Sequence, residues 1–227
     1  VIEVIATSVE DAIAAQNGGA QRIELVSHFE VGGLTPSVEL AQAVLDVVTI
    51  PVRVMLRERN SFEVDEAETK RLCAFAEQFA KMKVDGLVLG FLRGGEIDTR
   101  ALSRVLACAP NQRVTFHRAF ELIGNPIDAV RLLKHFPQVD TILTSGGEGE
   151  WREKAARLSS LQTQAQPKIE VLVGGGINLS AMTTLIRFDN LRAFHLGRAA
   201  REPQTIDGVV SAERVSNIAA LLMAKNN

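Results

Sequence analysis

The chain has 227 residues, of which 46% are hydrophobic and 23% charged, and its formal net charge is −2. That near-neutral balance, with no basic cluster, argues against nucleic acid as a partner. No apolar run approaches the roughly 18 residues of a membrane span.

Short β-branched runs alternate with amphipathic stretches from one end to the other. The strand candidates are IEVIA (2–6), RIELV (22–26), VRVML (52–56), GLVLG (86–90), RVTFH (113–117), TILTS (141–145), EVLVG (170–174) and AFHLG (193–197). Thr7-Ser8 followed by Glu10-Asp11 predicts a capping box at the first helix, and Gly18-Gly19 the left-handed positions that end it. DEAETKRLCAFAEQFAKM and NPIDAVRLLKHF carry helical periodicity, with Asp98-Thr99 and Asn125-Pro126 as further helix starts. Eight βα units without a linker imply a parallel sheet covered by helices, closed as a single-domain (β/α)8 TIM barrel. An open doubly wound sheet would call for a G-x-G-x-x-G turn after its first strand, and none is present.

The two cysteines, Cys73 and Cys108, fall inside helical patterns without metal-ligand spacing and read as small core residues. A disulfide between them stays open. With no basic-then-apolar leader at the first residues, a reducing cytoplasm is the expected compartment.

In a (β/α)8 barrel the active site gathers at the C-terminal ends of the strands. Glu3 and Glu24 lie inside the first two strands, Arg57 and Arg59 follow the third, and His117-Arg118 end the fifth. Ser145 ends the sixth, and His195 lies in the eighth. Alternation puts Glu3 with Ile5, Glu24 with Val26, and Thr115 with His117 on common faces. Acids, bases and arginines are thus expected at one mouth. A structural ion pair with Arg53, Arg57 or Arg118 is the first reading of Glu3, while for Glu24 it stands level with an acid/base role. His117 is expected in the site; His195 divides evenly between core and site.

VGGGINLSAM (173–182) runs a strand through Gly174, Gly175 and Gly176 into a helix. Its free backbone N–H groups, with Gly197-Arg198 after the eighth strand, predict a phosphate or carboxylate site. Positive-φ turn geometry alone explains one or two of these glycines.

EVGGLTPS (30–37), VTFHRAF (114–120), ILTSGG (142–147) and GGGIN (174–178), in this order, resemble the CutC family over nearly the whole chain. The resemblance implies a TIM barrel, a cytoplasmic location and a role in copper homeostasis. Residues matching the family are Glu3, Glu24, Arg57, Arg59, His117, Arg118, Ser145, Gly175, Gly176 and His195. Family members carry a cysteine in each of the first two strands, proposed as Cu(I) ligands; here those positions are Ile5 and Val26. The R-P-R-G-G-D-F segment has become RERNSF (57–62), and the Gln that follows T-S-G is Gly147. No protein metal ligand or named cofactor emerges, and copper is a doubtful partner. The competing expectations are a copper protein, an acid/base enzyme pairing Glu24 with His117 on a small phosphorylated or carboxylated metabolite, and a non-catalytic anion binder. Whether the chain forms a homo-oligomer stays open.

Overall fold

The structure, a computed structural model, describes residues 1–225. Eight parallel strands close into a barrel: β1 (Ile2–Ala6), β2 (Arg22–Leu25), β3 (Val52–Met55), β4 (Gly86–Leu89), β5 (Arg113–Phe116), β6 (Val139–Thr144), β7 (Glu170–Val173) and β8 (Ala193–Leu196). Each hydrogen-bonds to its sequence neighbours, and β8 closes on β1. The helices are α1 (Val9–Asn17), α2 (Val38–Leu45), α3 (Glu66–Lys81), α4 (Thr99–Cys108), α5 (Pro126–Leu133), α6 (Trp151–Ala165), α7 (Leu179–Leu185) and α8 (Ala212–Lys225). The (β/α)8 TIM barrel expected from the alternation is the fold. Two small antiparallel ribbons, Leu92–Arg93 with Glu96–Ile97 and Arg201–Glu202 with Val209–Val210, were not legible in the pattern.

Strands buried on both faces read as continuous apolar runs, and most strand residues here are buried. Helix starts follow cap chemistry. Ser8, Asp65, Asp98, Asn125 and Asn178 each accept a backbone N–H from the first turn of their helix. Asp11 reaches back past the cap residue and accepts from the N–H and hydroxyl of Thr7, so the expected capping box forms in a shifted version. One expectation fails: Gly18 has φ −77°, an ordinary helical value, and only Gly19 is left-handed. Gly18 is needed for proximity instead, since a Cβ there would stand 2.6 Å from the Ala212 carbonyl and from Val215 of α8.

The lower barrel is held by one buried cation. Arg53, 1% exposed, donates to both carboxylate oxygens of Asp140 at 2.7 Å, to Asp85 at 3.0 Å and to Thr115 at 2.8 Å. It thereby ties β3 to β5 and β6 and to the loop before β4. Arg53→Met is expected to leave Asp140 without its cation, Asp85 keeping Arg113 at 3.4 Å, and to cost about 3 kcal/mol, the low end for a broken buried pair because Asp140 keeps some water contact. Urea unfolding is the measurement; a loss below about 1 kcal/mol would mean that the network adds little.

Candidate active site

Parallel register places Glu3 beside Arg22 of β2 on one side and His195 of β8 on the other. The Glu3 carboxylate accepts from Arg22 Nε on one oxygen and from His195 Nδ1 at 2.7 Å on the other. The opposite nitrogen of the imidazole, Nε2, lies 3.3 Å from Glu24 Oε2. Glu3, Glu24 and His195 have exposures of 0%, 2% and 6%, so this is an acid–imidazole–acid relay inside the barrel. The partner of Glu3 is therefore Arg22, not Arg53, Arg57 or Arg118. Cross-strand adjacency decided the pairing, and it depends on register.

Burial pushes the Glu3 carboxyl up, but Arg22 and then His195 overcome it and hold the group at about 2. Glu24 lacks such a cation. Burial, reinforced by the Glu3 charge and only partly opposed by His195, pushes it up to about 7. Burial disfavours the His195 imidazolium, yet Glu24 and Glu3 together hold its pKa above the ordinary value. Glu24 Oε1 is buried and has no hydrogen-bond partner. A separate apolar cluster of Ile5, Val26, Met55 and Val88, with Phe29 packed against it, is formed by residues of the same first four strands and the loops after them. A near-neutral carboxyl with one unsatisfied oxygen, wired to an imidazole, can accept or deliver a proton near pH 7.

His117 is not part of this relay. The Ala119 N–H donates to its Nδ1 at 3.3 Å, so the neutral ring carries its proton on Nε2. Burial, with Arg57 nearby, drops its pKa to about 3. Phe62 packs on the ring at 5.0 Å, and a Cβ on Gly90 would stand 2.6 Å from Nδ1. The expected pairing of Glu24 with His117 is thus corrected to Glu24 with His195. His117 is a fixed neutral donor, since its ring does not protonate near pH 7.

The arginines divide. Arg57 donates to the carbonyls of Val31, Gly33 and Ser61 and to Asn60 Oδ1, which fastens the β2 and β3 loops and leaves little for a ligand. Arg59 pairs with Glu68 at 2.7 Å on α3 and is turned to that helix. Arg118, half-exposed, donates to Glu121 at 2.6 Å, and its guanidinium passes 3.5 Å from where a Cβ on Gly175 would stand. Ser145 flanks the same glycine, 2.7 Å from that position, and its N–H donates to Glu121 at 2.6 Å. The residues flanking Gly175 are therefore Arg118 and Ser145. Gly175 and Gly176 have φ of +82° and +95°. Gly197, by contrast, has φ −99° and is a glycine because Phe29 lies against it, 3.0 Å from a Cβ there. Arg198 opens the next turn.

Sequence reasoning missed Glu121 and the buried pair Arg201–Asp11, joined at 2.9 Å. The signal for Glu121 was its i,i+3 spacing from Arg118. Arg201 also lies over the Phe29 ring at 5.1 Å, bracing the roof of the mouth; nothing local in the sequence marks it.

Copper is the metal that the resemblance implies, and Cu(I) selects soft thiolate and thioether ligands. The two cysteine positions are Ile5 and Val26, packed with Met55, a lone thioether. Both thiols sit on outer helices, and burial with the neighbouring Cys108 pushes Cys73 up to about 12. This donor set does not fit Cu(I). Donor atoms of Glu3, Glu24 and His195 do lie within 4.8 Å of one another. These are oxygen and imidazole donors, and Arg22 already occupies one of the Glu3 oxygens, so the cluster offers nothing soft for Cu(I) either.

An eight-stranded α/β barrel with a buried proton relay under its C-terminal mouth is the class that this geometry defines. The chain belongs to the CutC family, whose model matches residues 1–200. The CutC family protein of Histophilus somni is 32% identical over 209 residues, covering 91% of this chain and 86% of that protein. The one of Xylella fastidiosa is 34% identical over 200 residues, covering 86% and 73%. The crystal structure of CutC from Streptococcus agalactiae superposes with a TM-score of 0.80 at 26% identity, covering 87% of this chain and 97% of that one. Thiamine phosphate pyrophosphorylase from Pyrococcus furiosus shares the fold, with a TM-score of 0.65 at 13% identity, 100% of this chain and 96% of that one.

Two outcomes follow. In equilibrium competition against a strong Cu(I) chelator the wild type is expected to retain no stoichiometric copper, and Cys73→Ser to behave identically; a retained equivalent lost in that variant would overturn the mismatch. The second concerns pH. Glu24 holds its proton more tightly folded than unfolded, so its contribution is full below about 4.5 and is lost as pH rises through about 7. Glu24→Gln escapes that loss. Its urea midpoint relative to wild type is expected to rise between pH 5 and pH 8, and a flat difference would count against the raised pKa.

Proposed function

We propose that the chain is a proton-transfer enzyme acting on a small metabolite that carries a phosphate or carboxylate, at the C-terminal mouth of the barrel. The observation that carries this reading is Glu24 Oε1, buried and unpartnered in a carboxyl that titrates near neutrality. Glu24 takes the proton, His195 shares it, and Glu3 stays ionised to hold the imidazole in one orientation. The Nε2–H of His117 is suited to a developing oxyanion, because a neutral donor does not lose its proton to that oxygen. Arg118 supplies the exposed positive charge beside Gly175, with Arg198 on the following turn. A cytoplasmic location is part of the proposal, supported by two free thiols.

Copper handling is the second reading. It is favoured by membership of a family one of whose relatives, from Streptococcus agalactiae, is named for copper homeostasis. Its difficulty in this chain is the absence of thiolates at the mouth.

The test is solvent exchange. Sugar phosphates and short 2-oxo and 2-hydroxy carboxylates are incubated with the protein in D2O and followed by NMR. Wild type is expected to exchange a carbon-bound proton of at least one compound, and Glu24→Gln to slow it by about 10²-fold or more. His117→Gln, which keeps a neutral donor, is expected to lose less than His117→Ala. Exchange at the wild-type rate in Glu24→Gln, or none with any compound, would overturn the proposal.

A further inference from the structure

A cavity of about 300 Å³ opens outside the barrel, between the turn that follows β5, the start of α5 and the flank of α6. Its walls include Phe120, Ile123, Ile127, Leu158 and Leu161. Phe120 and Leu158, 3% and 0% exposed, belong to the main core, so the apolar floor is rigid.

The charged groups at its edge are already committed. Glu121 accepts from the Ser145 N–H and from Arg118, each at 2.6 Å. Arg157 donates through Nε to the Gly146 carbonyl at 2.8 Å and through its other nitrogen to Glu148. A charged ligand would lose hydration against the apolar walls, and Arg157, the cation that lines the cavity, already has two of its three nitrogens turned to backbone carbonyls. The Thr144 hydroxyl is less engaged: it accepts from the Gly146 N–H at 3.1 Å, while Glu121 is 3.5 Å away. Its proton is given to Glu121 only over that long 3.5 Å contact, so it can turn to one ligand oxygen instead. Size sets the rest, because a dry apolar cavity of about 150 Å³ already accepts benzene.

We propose that this cavity is a binding site for an uncharged, mainly apolar organic molecule about the size of one substituted six-membered ring, with one oxygen on Thr144. The site shares a wall with the mouth, since Glu121 lines the cavity and holds both Arg118 and Ser145. Its occupancy is independent of the proton relay.

The experiment titrates benzyl alcohol and cyclohexanol, with benzoate as the charged counterpart. Thermal midpoints and the amide NMR signals of Gly146 and Gly147 are the readouts. Wild type and Glu24→Gln are expected to bind both alcohols saturably, with benzoate at least tenfold weaker. Ile127→Trp and Ser160→Phe, at a half-buried and an exposed position, fill the cavity from two sides without entering the core. Each is expected to abolish the response, and unchanged thermal midpoints of the free variants verify that they fold. An absent or non-saturable response, benzoate binding as tightly as the alcohols, or binding that survives in both variants would overturn the site. Loss in Glu24→Gln alone would overturn its independence from the relay.

Discussion

Glu3 carries its charge at 0% exposure, in a barrel interior where an isolated carboxylate would pick up a proton. It stays ionised only because Arg22 and His195 lie on the two strands beside it and each donates to a different oxygen. Everything above it follows from that choice. With Nδ1 fixed on Glu3, the imidazole turns Nε2 toward Glu24 and has no other orientation that keeps both bonds. Arg22 spends its hydrogen bond on Glu3 and reaches Glu24 only through its charge, and the second oxygen of Glu24 has nothing to accept from. One carboxyl is held far below its ordinary pKa and its neighbour is raised above it. Opposite shifts in neighbouring carboxyls are how one fold separates a permanent anion from a proton carrier.

The interior is divided along its axis. Arg53 and its acids fill the lower end, while Ile5, Val26, Met55 and Val88 make the upper part apolar. Apolar side chains of this kind keep the interior dielectric low, the condition under which burial raises the Glu24 carboxyl. Thiols at the positions of Ile5 and Val26 would be polarisable ligands beside the same carboxyl. In this chain they are hydrocarbon, which removes the thiolates that a soft metal selects.

The alternation of eight strand and helix patterns made the barrel legible, because a parallel strand buried on both faces needs a continuous apolar run and caps mark each helix start. Strand parity pointed Glu3 and Glu24 inward, and the structure buries both beside His195. What the sequence could not fix was pairing. Glu3 chose Arg22 over Arg53 because β1 and β2 set those residues side by side, and register is a property of the closed sheet. His117 looked like a base because histidine usually is one; its acceptor role for Ala119 N–H depends on the 3-10 turn that begins at Arg118. Gly197 looked like a phosphate loop, whereas its reason is a phenyl ring 168 positions earlier in the chain.

The commitments of the mouth's cations limit how an anion can be recognised there. Arg57 is spent on loop carbonyls and Arg59 on Glu68, so neither offers a free fork. Arg118 is half-exposed but already carries Glu121, which also occupies the Ser145 N–H. A carboxylate or phosphate reaching Gly175 must therefore share Arg118 with an internal carboxylate, and part of its binding energy goes into that exchange. Charge pairing alone would then give weak ground-state binding. A neutral donor such as His117 gains most when negative charge concentrates on an oxygen during reaction. For the proton transfer proposed above, an arrangement that weakens attraction for the resting anion would leave the strongest interaction for the transition state, the condition for raising turnover rather than affinity.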